Sequence, residues 1–162
     1  MKHLISARHA LSEERPNGSL TDRGREQITQ LVRAINPICV QRSIYLVTAT
    51  SNRAHESGLI LAQSLGLPTD FERVDYLWSA SDGPEDRCCR GELHEYWAKL
   101  DTLLQRGEDQ GEVLIVFSHE GVERNLARRF AKSKGVNSSF VSIDYGQALY
   151  VNSEDKTVSI LQ

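Results

Sequence analysis

The chain has 162 residues, 40% of them hydrophobic and 25% charged, which is the composition of one globular domain (residues 1–162) and not of a disordered tract. A net charge of −3 excludes the broad basic surface that nucleic acid requires, so any basic site must be a local cluster of arginines. No apolar run approaches the roughly 20 residues that span a bilayer, and the stretch opening Met1-Lys2-His3-Leu4-Ile5-Ser6 is too short in apolar residues for a signal peptide.

The three cysteines, two of them adjacent at Cys88 and Cys89, make neither a disulfide framework nor a zinc site, and a cytoplasmic protein is expected. His3 to Ala7 reads as a first strand. A polar loop from Leu11 to Leu20 carries the turn signal Pro16-Asn17-Gly18. Thr21 or Asp22 then caps a helix whose apolar positions Ile28, Leu31, Val32 and Ile35 repeat at helical spacing, with Asn36-Pro37 as the stop. Ile44 to Ala49 is a β-branched apolar run suited to a strand buried on both faces. A helix capped by Ser51 or Asn52 follows and ends at Gly66-Leu67-Pro68.

A third strand is expected within Thr69 to Val74, and then an irregular polar stretch from Asp75 to Gly91. The next helix carries Leu93, Tyr96, Trp97, Leu100 and Leu104 on one face and is broken by Gly107 to Gly111. Val113 to Ser118 is the strongest buried-strand signal, with a helix through Val122, Leu126 and Phe130 behind it. Ala148 to Val151 and Thr157 to Leu161 flank a polar turn, as in a hairpin at a sheet edge. The expectation is an α/β fold: a three-layer αβα sandwich with a mainly parallel central sheet and an antiparallel C-terminal edge hairpin.

In such sheets ligands bind beyond the carboxyl ends of the strands. The residues there are Arg8-His9, Thr50 to Arg53, and His119-Glu120. Two guanidiniums can grip a phosphate with charge-assisted, bidentate bonds. A neutral imidazole beside them can attack phosphorus, and a second histidine can stabilise the equatorial oxygens of the transferring group. Such a site works by position and charge, with no metal and no cofactor expected.

Four segments carry a family resemblance. Ile5-Ser6-Ala7-Arg8-His9-Ala10 resembles the Arg-His-Gly signature of the histidine phosphatase (phosphoglycerate mutase-like) superfamily. Leu20-Thr21-Asp22-Arg23-Gly24-Arg25-Glu26-Gln27 is similar to its Leu-Thr-x-x-Gly-x-x-Gln element, and Thr50 to Ser57 to its Ser-x-x-x-Arg-Ala-x-Glu-Thr element. Val116-Phe117-Ser118-His119-Glu120-Gly121 resembles its Val-Ser-His-Gly-Gly element, and the four occur in the family's order. The resemblance implies a phosphatase with His9 as nucleophile and Arg8, Arg53 and His119 as phosphate ligands.

Two residues depart from the pattern, Ala10 and Glu120 standing where glycines are usual. The acid that protonates the leaving group stays open among Glu120, as in the acid-phosphatase branch, and the loop residues Asp82, Glu85 and Glu92; small phosphohistidine phosphatases manage without a clear acid. The substrate implied is a phosphorylated small molecule or a phosphohistidine protein. A phosphoglycerate-type mutase and a catalytically weak phosphate-binding module are the alternatives. No nucleic-acid or membrane partner is expected, and oligomeric state is open. Beside the site, Glu56 is expected to pair with Arg53 or to cap, at i,i+3 spacing. His3 and His55 read as structural, and Trp78 and Trp97 as packing anchors, with Trp78 also a candidate pocket wall. Arg87 and Arg90 read as surface arginines that could reach a second acidic group.

Overall fold

The computed structural model describes residues 1–15, 17–78 and 93–162. Asp82, Glu85, Arg87, Cys88, Cys89, Arg90 and Glu92 lie outside the described residues. The elements run β1 (His3–Arg8), α1 (Asp22–Cys39), β2 (Ile44–Ala49), α2 (Asn52–Leu65), β3 (Glu72–Val74), a 3₁₀ turn at Asp75–Leu77, α3 (Leu93–Gln110), β4 (Val113–Ser118), α4 (Val122–Ser133), β5 (Ala148–Asn152) and β6 (Thr157–Leu161). The strands form one six-stranded sheet in the order β3-β2-β4-β1-β5-β6. The first four of these run parallel, β5 pairs antiparallel with β1, and β6 pairs antiparallel with β5, as the edge hairpin predicts. Helices α1 and α2 pack together, as do α3 and α4, and the two pairs make the outer layers.

Burial follows the sequence pattern. All six residues of β4 are buried, because β4 lies between β1 and β2 with helices on both sides. Ile28, Leu31, Val32 and Ile35 form the buried stripe of α1, and Thr21 caps it by accepting from Gly24 N. Ser51 caps α2 in the same way through Ala54 N.

One predicted helix end is corrected. Asn36-Pro37 does not stop α1, which continues to Cys39. A proline forfeits one i→i−4 bond, and in the last turn that loss is small; the chain turns away at Gln41, where φ is +58°. The break expected at Gly107 to Gly111 is present: α3 ends at Gln110, just before Gly111, with Gly107 still inside the helix. A Cβ on Gly107 would stand 2.9 Å from both Leu114 and Met1, so the bare backbone there lets the helix press against β4 and the chain start.

The register fixes the site. Arg8 of β1 stands opposite Ser118 of β4, and Thr48 of β2 opposite Phe117. The carboxyl ends of three adjacent parallel strands therefore meet at one edge of the sheet.

Candidate active site

His9 follows directly on β1. Its N–H donates to Ser118 O at 3.0 Å, and its carbonyl accepts from Gly146 N at 3.2 Å, so its backbone is pinned between β4 and the segment entering β5. The ring is 3% exposed. Nδ1 lies 2.8 Å from Ala10 O, and a carbonyl only accepts, so Nδ1 carries the proton. Arg53 Nε donates to Nε2 at 3.1 Å, and an atom that accepts there holds no proton. The imidazole is thus neutral, with its lone pair at Nε2, on the side of the arginine.

Arg53 reaches this position because Ser51 caps α2 and places Arg53 in its first turn, 5% exposed. Its Nη2 faces His119 Nδ1 at 3.5 Å, and its guanidinium lies 5.6 Å from the Trp78 ring centre. His119, fully buried, meets Ser51 Oγ through Nε2 at 3.0 Å and stacks on Trp78 at 5.0 Å with the planes 15° apart. Trp78 is therefore a wall of the site, oriented by its own Nε1 donating to Thr50 Oγ1 at 2.6 Å. His9 and His119 meet edge to face at 4.8 Å.

Arg8 approaches from the other side. Its Nη1 donates to Ile143 O at 3.2 Å and its Nη2 to Glu120 Oε2 at 3.1 Å, and its guanidinium lies 4.0 Å from the Tyr145 ring centre. The Glu120 side chain is 57% exposed. The structure thus brings His9, Arg8, Arg53, His119 and Glu120 together, while Glu85, with Asp82 and Glu92, lies outside the described residues.

The two departures from the family pattern have local explanations. Ala10 is fully buried and is not among the positive-φ residues, so a side chain is tolerated there. The left-handed turn into α4 falls on Gly121, with φ of +84°, and leaves position 120 free to carry a glutamate.

The segment Leu20 to Gln27 braces the chain that follows His9. Leu11 N donates to Gln27 Oε1 at 3.0 Å, and Leu11 O accepts from Thr21 N at 3.0 Å and Thr21 Oγ1 at 3.2 Å. A Cβ at Gly24 would stand 2.1 Å from Leu11 O, so only glycine admits this approach. Glu56 does not pair with Arg53: it accepts from Leu20 N at 3.0 Å and from Arg25 at 3.1 Å, joining α2 to α1. Arg53 is turned into the site and cannot face its neighbour one turn on.

Sequence reasoning missed three participants. Ser51, read only as a cap, also holds His119. Ser57 Oγ donates to Arg53 O at 2.7 Å and accepts from Ala10 N at 3.4 Å, linking α2 to the chain after His9. Tyr145, whose ring lies 5.4 Å from that of His9, comes from a stretch with no periodicity to signal it. His55 and His3 stand apart from the cluster of His9, Arg8, Arg53 and His119. Burial lowers the pKa of each, helped by Arg73 and Arg42 respectively. Trp97 packs with Tyr96 and under Arg129.

No group of three or more potential metal ligands occurs among the described residues. No helix among them is long and apolar enough to cross a membrane.

The fold is that of the histidine phosphatases. A mycobacterial glucosyl-3-phosphoglycerate phosphatase superimposes with a TM-score of 0.66 at 11% identity, covering 99% of this chain and 97% of that one. The protein histidine phosphatase SixA, in complex with tungstate, gives 0.65 at 14% identity, covering 99% and 94%. The alpha-ribazole phosphatase of Shigella flexneri gives 0.60 at 15% identity, covering 99% and 94%. No family model and no curated protein matches the sequence.

Proposed function

We propose that this chain is a histidine phosphatase that hydrolyses a phosphomonoester or phosphohistidine through a covalent phosphohistidine on His9. The observation that carries the reading is the state of the His9 ring: Nδ1–H is tied to Ala10 O, and the lone pair of Nε2 lies beside the guanidinium of Arg53.

In the first step Nε2 forms a bond to phosphorus and the bond from phosphorus to the leaving oxygen (for phosphohistidine, the leaving nitrogen) breaks. The positive charge that develops on the ring is shared with Ala10 O through Nδ1–H. Arg8 and Arg53 hold the phosphoryl oxygens, and His119, kept in place by Ser51 and Trp78, faces them from across the His9 ring. The leaving group takes a proton from Glu120, the described carboxylate nearest these groups in the chain, or from Glu85. In the second step water attacks phosphorus, the same carboxylate accepts its proton, and the bond to Nε2 breaks, restoring the neutral ring.

Two guanidiniums supply the charge that this transfer requires, so hydrolysis of p-nitrophenyl phosphate should persist in chelator. The His9→Ala variant should lose turnover, and wild-type protein should take up an acid-labile, base-stable phosphoryl label. Full activity in His9→Ala would overturn the proposal; phosphate binding without label would favour the phosphate-dependent binding module. Broad similarity of fold to SixA and an approach edged by Tyr145 and the exposed Glu120 support a phosphohistidine protein as substrate.

A further inference from the structure

Arg8 has three partners already described, Ile143 O, Glu120 and the Tyr145 ring. Its Nε has no hydrogen-bond partner although it is buried. A second buried polar atom without a partner is Oε2 of Glu123, on the helix that packs against β1. Glu123 sits in the first turn of α4, 1% exposed, with its N–H directed to His119 O at 3.5 Å, and α4 packs against β1.

A carboxylate in such surroundings is costly, because burial removes its water and no lysine or arginine bonds it directly. Burial raises the Glu123 pKa; the backbone N–H groups of Gly121 and Glu123 and the charges of Arg8 and Arg124 work in the opposite direction. Neither β4 nor β5, against which α4 also packs, contributes a charged residue. An apolar side chain at position 123 would fill the same space without that cost, and the chain nevertheless places a glutamate there.

We propose that Glu123 is a positioning residue for Arg8, an inner counter-charge that keeps the guanidinium in place when phosphate displaces its outer partner Glu120. Arg8 then stands between two carboxylates three residues apart at the start of one helix. The outer one is exposed and exchangeable, and the inner one is buried and fixed. The proposal rests on Arg8 being a phosphate ligand, as in the function proposed above.

The test is the affinity for inorganic phosphate, measured by calorimetry, in wild type, Glu123→Gln, Glu123→Met, Arg8→Ala and the two double variants. Glu123→Gln removes the charge at nearly constant shape. Glu123→Met removes the buried polar group altogether and should fold at least as well as wild type. Each should weaken phosphate binding roughly tenfold, within the coupling range of neighbouring charged groups. Neither should weaken it further once Arg8 is alanine, because a residue that acts through Arg8 has nothing left to place.

Wild-type affinity in both Glu123 variants would overturn the proposal, as would an equal loss with and without Arg8, which marks a purely structural role. If Arg8→Ala itself binds phosphate normally, it is the reading of Arg8 as a phosphate ligand that fails.

Discussion

Replacing Arg53 by lysine keeps the positive charge and removes the fork. The arginine donates from Nε to His9 Nε2 at 3.1 Å while Nη2 faces His119 at 3.5 Å, all in a pocket where the residue is 5% exposed. A lysine ammonium is a point charge that cannot span the two rings and bind a phosphoryl oxygen pair in one plane. Hydrogen bonds to charged groups contribute about 1.5–3 kcal/mol each. Two such bonds lost in the transition state amount to roughly 3–6 kcal/mol, a fall of about 10²- to 10⁴-fold in kcat/KM. The assay is steady-state hydrolysis of p-nitrophenyl phosphate, with thermal denaturation alongside to show that the variant is folded. A folded Arg53→Lys enzyme within threefold of wild-type kcat/KM would refute the reasoning, since charge alone would then suffice.

Glu120→Gln separates acid catalysis from binding. If Glu120 protonates the leaving group, an alkyl phosphate should lose about 10²-fold in kcat while p-nitrophenyl phosphate, whose leaving group needs little help, changes by less than about fivefold; equal losses on both would show that the acid lies elsewhere. Stability should fall on acidification through His3. Its ring is 2% exposed and its pKa is lowered, first by burial and then by Arg42, so the unfolded chain binds the proton more readily than the folded one. The stabilisation is complete above the unfolded value of about 6.5 and is lost as pH falls below it, with a slope of at most about 1.4 kcal/mol per pH unit for this one group. Urea denaturation at pH 7.5 and 5.5 should show the loss in wild type and a smaller one in His3→Gln; identical losses would remove His3 from the account. His55, lowered for the same reason, supplies part of what remains.

The sequence by itself determined the class of fold and pointed to the residues that meet at the candidate site. Runs such as Val113 to Ser118 encode buried strands through local pattern, and the strand ends then pick out Arg8-His9, Thr50 to Arg53 and His119-Glu120 without any distance being known. Local pattern fails where a residue's partner is set by distant chain. The helix end at Pro37 was misread because a proline loses little in a last turn. Spacing offered Glu56 to Arg53 or to a cap, but the packing of α1 on α2 brings Arg25 and Leu20 N to it instead.

Only the tertiary structure showed that Ser51 holds His119, that Tyr145 lies against Arg8 and His9, and that Glu123 is buried in the turn beside them. Arg8 and Ile143, for example, are 135 residues apart in the chain. They meet because β5 pairs antiparallel with β1 on the side away from β4. The amino-acid pattern names the element in which a side chain sits, and the packing of remote elements decides what it touches. For His9 that packing set a guanidinium beside Nε2, while the carbonyl on Nδ1 comes from the very next residue, Ala10; together they set where its proton rests.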